Sequence, residues 1–197
     1  MNQVAVLYAT REGQTRRIAE QVAAGLRERG LDAIAADIRE ARARLDLGAC
    51  SAVVIAASVH GGRHEREMIG VVKSQRAALQ SMPNAFLSVT LSEAGAERRD
   101  ATAEEHARFV ADVEKMIHRF VTETGWRPEQ VVPVAGALRY SQYNFFVRLI
   151  MKRIARQAGG STDTSRDHEY TDWTALDHFV GSFADEVARR ANRAGHA

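Results

Sequence analysis

Short apolar runs alternate with longer amphipathic segments along the chain. The apolar runs lie at residues 4–8, 31–38, 53–57, 85–89 and 131–135. Short apolar runs of this kind are typical of the buried strands of a parallel sheet, because such strands are covered on both faces. The pattern therefore predicts five strands, all parallel.

Apolar residues at three- and four-residue spacing predict helices between these strands. The first helix begins near Thr15 and ends at Gly30, and a further helical stretch covers roughly residues 64–79. A capping box at residues 102–105 begins another helix, and the last helix begins near Asp172. Strands that alternate with helices predict a doubly wound α/β fold, in which ligands bind at the carboxyl ends of the strands.

Two features mark departures from regular alternation. Pro133 lies within the fifth apolar run and has no backbone N–H, so this strand is predicted at an edge of the sheet. Residues 140–165 stand where a short loop would suffice, which predicts an insertion before the last helix. No linker divides the chain, and we expect residues 1–197 to form a single domain.

The first predicted strand leads directly into the loop at residues 10–15, and the first helix follows at once. The N-terminus of a helix stabilises an anion, Gly13 allows close backbone approach, and Thr10 and Thr15 supply hydroxyl groups. The loop resembles the phosphate loop of flavodoxins, which implies binding of the FMN phosphate. The alternative is an ordinary polar turn in which the two threonines only cap the helix.

Two further loops follow the third and fourth predicted strands at the same sheet edge. Residues 58–64 carry the paired glycines Gly61 and Gly62, and residues 90–95 are small and polar. Each loop alone would be read as a surface turn, but together with the phosphate loop they predict a site for the flavin ring. The predicted cofactor-binding residues are Thr10, Arg11, Glu12, Gly13, Gln14, Thr15, Ser58, Val59, His60, Gly61, Gly62, Thr90, Leu91 and Ser92.

The composition of the chain indicates the compartment and the kinds of partner, but not the reaction. The net charge of +2 is too small to argue for nucleic acid as a partner, and Cys50 is the only cysteine, which is typical of a reducing cytoplasm. No secretion signal and no apolar run of membrane-spanning length is evident in the sequence. His60 and His64 have no third ligand nearby, so we expect no metal site.

The insertion is basic and amphipathic. Between Glu129 and Asp163 the chain has five Lys and Arg residues and no acidic residue. Three interpretations stay open: a helix that lies on an anionic membrane surface, a helix that packs against the domain, or a set of cations that binds an acidic substrate. The predicted contacts to substrate or membrane are Arg139, Tyr140, Arg148, Lys152 and Arg153.

Several motifs together resemble the quinone-dependent protoporphyrinogen IX oxidase family. They lie at residues 136–140, 149–152, 159–164 and 170–173, and residues 10–15 match the phosphate loop of this family. The resemblance covers nearly the whole chain. It implies a flavodoxin-like five-stranded parallel sheet in the order 2-1-3-4-5.

The resemblance also implies a function. It indicates an FMN-dependent enzyme of haem biosynthesis, peripheral on the inner face of the cell membrane, that oxidises protoporphyrinogen IX and reduces menaquinone or ubiquinone. The alternatives are an FMN electron carrier, a quinone reductase with another substrate, or a membrane-docking module without flavin. The sequence leaves the oligomeric state open, and a homo-oligomer is compatible with it.

Overall fold

The core of the fold is a sheet of five parallel strands. The computed structural model describes residues 3–41, 46–142 and 163–194. The strands of the sheet are β1 (Gln3–Ala9), β2 (Asp32–Asp37), β3 (Cys50–His60), β5 (Asn84–Thr90) and β6 (Gln130–Ala135). Their order is β2-β1-β3-β5-β6, with every neighbouring pair parallel. This confirms the predicted order 2-1-3-4-5 and places Pro133 in an edge strand.

Helices cover both faces of the sheet. The described helices are α1 (Gln14–Glu28), α2 (Ile38–Ala41), α3 (Arg66–Ser74), α4 (Arg76–Gln80), α5 (Leu91–Ala96), α6 (Ala103–Thr124) and α7 (Trp173–Ala194). Val4 and Val6 of β1 pack in one core with α1 and α7. Leu7 packs in the other core with α3, α4 and α6, because successive side chains of a strand point to opposite faces. Among the described helices, none combines the length and the apolar composition needed to cross a membrane.

The segment after β3 differs from the prediction of one helix over residues 64–79. Gly61 and Gly62 have φ angles of +58° and +72°, and this turn folds the chain back so that β4 (Arg63–His64) pairs antiparallel with β3. The helix therefore starts only at Arg66, and it is interrupted at Gln75 between α3 and α4. Positive φ angles favour glycine, which explains the two glycines at this turn.

A second, two-stranded sheet brings together the two flanks of the insertion. β7 (Ala137–Leu138) pairs antiparallel with β8 (His168–Glu169), and the Tyr170 N–H donates to the Gly136 carbonyl. A short 3-10 helix, Tyr140–Gln142, follows β7. Most of the predicted insertion, with the predicted contact residues Arg148, Lys152 and Arg153, lies outside the described residues.

His64 is buried in an aromatic cluster under the sheet. Its ring lies 5.1 Å from Phe86 and 5.0 Å from Phe120 between ring centroids, and Ser88 Oγ is 2.9 Å from its Nε2. Burial lowers the pKa of His64 from 6.5 to about 4, because the cluster does not solvate a charged imidazole. The folded state thus holds His64 neutral.

This shift predicts that stability falls in acid. The unfolded state binds the proton of His64 at a higher pH than the folded state does, so the contribution is complete above pH 6.5 and is lost as the pH falls toward about 4. The free energy of unfolding should drop by roughly 3 kcal/mol over this range through His64 alone. Urea unfolding of His64→Gln should show a correspondingly smaller pH dependence, while the exposed control His178→Gln should match the wild type. Equal slopes for all three proteins would contradict the assignment.

Candidate functional site

A cavity of about 530 Å3 opens where the carboxyl ends of four parallel strands meet. Thr10 follows β1, Ser58 ends the buried part of β3, Thr90 ends β5, and Gly136 follows β6, and all four residues line the cavity. This edge is where a doubly wound sheet binds its ligands. The cavity is therefore the candidate active site.

The phosphate loop forms one end of this cavity. Gly13 has a φ angle of +84° and caps α1 without a side-chain acceptor, so no cap side chain takes up the first N–H groups of the helix. Thr10 Oγ1 accepts the Gly13 N–H at 3.1 Å, which closes the loop. Thr15 lines the cavity, and its Oγ1 is buried and has no hydrogen-bond partner among the described residues. Free N–H groups and an unpaired hydroxyl provide donors for an anion.

Two loops frame the rest of the cavity. Ser58 Oγ lies 3.4 Å from the Ala9 carbonyl and from Glu65 Oε1, and Gly61 and Gly62 leave the next turn without side chains. On the other side, Thr90 Oγ1 accepts the Glu93 N–H at 2.9 Å and caps α5. The hydroxyl of Thr90 thus stabilises the start of α5, and Leu91 and Ser92 line the cavity.

Comparisons with known proteins agree with this geometry. A model of the flavodoxin domain matches residues 5–165. The chain is 34% identical over 188 residues to protoporphyrinogen IX dehydrogenase (quinone) of Escherichia coli (strain K12), covering 95% of this chain and 96% of that protein. This chain belongs to that family of flavodoxin-domain proteins. It is also 32% identical to the protein of the same name from Leishmania major, covering 91% of this chain and 73% of that protein.

Solved structures support the fold of this family member. The rubredoxin oxygen:oxidoreductase of Desulfovibrio gigas superimposes with a TM-score of 0.52 at 11% identity. The match covers all of this chain and 38% of that larger chain. At this identity the likeness shows a shared flavodoxin-like fold alone.

FMN is the cofactor of the flavodoxin domain, and the cavity of this dehydrogenase family member fits it. The unpaired Thr15 hydroxyl and the first turn of α1 suit the phosphate, which needs several donors. The glycine turn after β3 offers backbone without side chains to a flat ring system. The donor set at one end and the open turn at the other therefore match a phosphorylated flavin.

The structure gathers nearly all predicted cofactor residues in one place. All of them line the cavity except Arg11 and Gly13. Gly13 contributes the positive φ angle of the phosphate loop. The Arg11 Nε donates to Glu65 Oε1 at 2.9 Å. Arg11 is therefore placed where it anchors the loop to the start of α3.

Four titratable side chains cluster where the loop at residues 58–62 meets the phosphate loop. The Glu65 carboxylate is 1% exposed and accepts from Arg11. His60 Nε2 lies 3.3 Å from Glu65 Oε1 and 3.3 Å from Glu12 Oε2. Neither contact has the geometry of a hydrogen bond. The cluster ties the phosphate loop to the glycine turn.

The flanks of the insertion attach to the first turn of α1. Gln14 Nε2 donates at 2.9 Å both to Glu169 Oε1 and to Thr171 Oγ1, and Arg139 Nη2 donates to Gln14 Oε1 at 3.0 Å. Arg17 Nη1 pairs with Glu169 at 2.9 Å. Because Gln14 lines the cavity, this network joins the insertion to the phosphate loop.

The structure places Tyr140 and Arg139 differently from the prediction. Both were predicted to contact substrate or membrane. Tyr140 is completely buried, with Leu138 beside it and Leu91 and Tyr170 packed against the pair, so it is a core residue. The Arg139 side chain is 22% exposed and directs its guanidinium inward to Gln14.

Sequence reasoning missed one whole wall of the cavity. This wall is formed by four residues of α6, Asp112, Lys115, Met116 and Arg119. Their i, i+3, i+4, i+7 spacing marks one helix face, but it coincides with the border of the buried stripe and carries no ligand motif. Only the packing of α6 beside the glycine turn brings this face to the site.

Proposed function

We propose that this chain oxidises protoporphyrinogen IX to protoporphyrin IX with FMN as cofactor and a quinone as electron acceptor. The observation that carries the proposal is the 34% identity, over nearly the whole of both chains, to an enzyme of that name. The flavodoxin-like cavity with its unpaired phosphate donors supports it. The match covers 95% of this chain and 96% of that enzyme, which favours the same activity for the whole domain.

The residues of the chain act by position and electrostatics. Thr15 and the first N–H groups of α1 would hold the phosphate, and the turn at Gly61 and Gly62 would leave space for the ring system. FMN, when bound, would supply the two-electron redox chemistry by which electrons pass from the porphyrinogen to the quinone. The loop at residues 58–62 has no Phe, Tyr or Trp, and this leaves room for a flat substrate.

The test is an anaerobic assay of the FMN-loaded protein with protoporphyrinogen IX and a menaquinone or ubiquinone analogue, followed by porphyrin fluorescence. We expect porphyrin formation that requires protein, FMN and quinone together. Porphyrin formation no faster than in the blank, with FMN bound, would reject the proposal. A stable one-electron flavin state in a redox titration would then favour an electron carrier.

We also propose that the insertion, residues 140–165, places the protein on an anionic membrane surface where the quinone is available. This rests on the sequence, in which Arg148 and Lys152 belong to a stretch without acidic residues. The attachment of both flanks to the phosphate loop supports a link between this segment and the site. The quinone acceptor of the named relatives is itself consistent with work at a membrane.

Charge reversal tests the membrane proposal. The double variant Arg148→Glu with Lys152→Glu should bind vesicles that contain phosphatidylglycerol at least about tenfold more weakly, because each basic residue near such a surface contributes about 1 kcal/mol. Sedimentation with vesicles measures this. The matched control Arg99→Glu with Arg127→Glu carries the same change of net charge at two exposed positions and should bind as the wild type does. Equal binding by the two double variants would contradict the proposal.

A further inference from the structure

Two basic side chains of α6 lie at the cavity. Lys115 and Arg119 line the cavity, and both residues are exposed at its rim. Neither side chain forms a hydrogen bond or an ion pair with any residue in the part of the chain that the structure describes. Their charges are thus available to a ligand.

The other cations near the site are already engaged. Arg63 pairs with Glu123, Arg11 pairs with Glu65, and Arg139 donates to Gln14. Within the described residues, this leaves Lys115 and Arg119 as the Lys and Arg side chains of the cavity lining, and they belong to α6, whereas the phosphate loop joins β1 to α1. An anion bound here would be a second one, separate from the phosphate of the cofactor.

The two cations match a particular kind of anion. They lie four residues apart, which is one helical turn and about 6 Å along the axis. Met116 is buried beside them and offers an apolar surface, while Asp112 precedes Lys115 by about one turn and would repel a carboxylate placed closer to the N-terminus of α6. The site therefore suits a mostly apolar molecule that carries two carboxylates a short distance apart.

We propose that Lys115 and Arg119 bind the two propionate carboxylates of the porphyrinogen and so orient it over the flavin site. This rests on the proposed function. Protoporphyrinogen IX carries its propionates on neighbouring pyrrole rings, and the rest of the molecule is apolar apart from the pyrrole N–H groups. Arginine favours carboxylate ligands because its guanidinium donates two parallel hydrogen bonds. This assignment replaces Arg139 as the propionate partner, since the fold already uses Arg139.

The test compares Lys115→Gln, Arg119→Gln and the double variant with the wild type, all loaded with FMN. KM for protoporphyrinogen IX should rise about fivefold in each single variant and about twentyfold in the double variant, a modest effect because exposed ion pairs are screened by water. KM for the quinone and the affinity for FMN should stay unchanged. The affinity for the product protoporphyrin IX, measured by fluorescence, should fall in parallel with the rise in KM.

The dimethyl ester of the substrate has no carboxylate charge, so it tests whether the two cations act through the carboxylates. The wild type should show the raised KM with the ester, and the substitutions should add nothing further. Arg127→Gln, an exposed position after α6 that does not line the cavity, is the matched control and should behave as the wild type does. An equal loss with acid and ester, an unchanged KM, or weaker FMN binding would overturn the assignment. An inactive wild type would instead reject the proposed function, and porphyrin binding by the variants would then decide the assignment.

Discussion

Thr15→Val is expected to lower the affinity for FMN by about tenfold to a hundredfold, because a hydrogen bond to a charged phosphate contributes roughly 1.5–3 kcal/mol. Thr15 is 1% exposed, its hydroxyl has no partner among the described residues, and it lines the cavity at the first turn of α1. Valine has nearly the same shape, so the loop should keep its geometry. Titration of the apoprotein with FMN, followed by quenching of flavin fluorescence, measures the change.

The stability of the apoprotein should not fall in Thr15→Val. Without cofactor, the buried hydroxyl of Thr15 is unsatisfied, so its removal should leave the free energy of unfolding equal or raise it by up to about 1 kcal/mol. Thr174→Val, at an exposed position in α7, is the control and should change neither quantity. If Thr15→Val bound FMN as tightly as the wild type, Thr15 would be excluded as a phosphate ligand.

Phe86→Ala should lower the free energy of unfolding by about 3–5 kcal/mol, the usual cost of removing a large aromatic side chain from a packed core. Phe86 is fully buried in β5, and its ring stacks on Phe120 of α6 at 4.3 Å between centroids. Trp126 contacts the same ring edge-on at 6.1 Å. Because α6 also forms a cavity wall, we expect weaker FMN binding as well. Urea unfolding and flavin titration measure the two effects.

The milder variant Phe86→Leu keeps this test informative if the alanine variant does not fold. It should lose clearly less stability than Phe86→Ala while it retains FMN binding. Val131→Ala in the neighbouring strand β6 is the control, since Val131 is 39% exposed and its truncation should cost less than about 0.5 kcal/mol. A loss in Phe86→Ala no greater than in Val131→Ala would show that the aromatic cluster does not hold α6 to the sheet.

Local patterns in the sequence were enough to predict the sheet and one end of the site. The apolar runs predicted all five parallel strands, and the missing N–H of Pro133 predicted the edge position of β6. The capping box of Thr102 and Glu105 begins α6 as predicted, with both reciprocal hydrogen bonds formed. These features depend on neighbours in the chain, and so does the phosphate loop, in which a strand end, Gly13 and a helix start follow one another.

Tertiary packing decided the remaining features. The β4 turn at Gly61 and Gly62 shortened a predicted helix, because a pairing with β3 replaced its first residues. Tyr140 became a core residue and Arg139 turned to Gln14, since the flanks of the insertion fold back onto α1. Lys115 and Arg119 reach the cavity only because α6 packs beside the glycine turn. Spacing along the chain specifies strands, caps and the phosphate loop. Contacts between residues far apart in the sequence depend on how the layers pack, and local sequence patterns do not predict this packing.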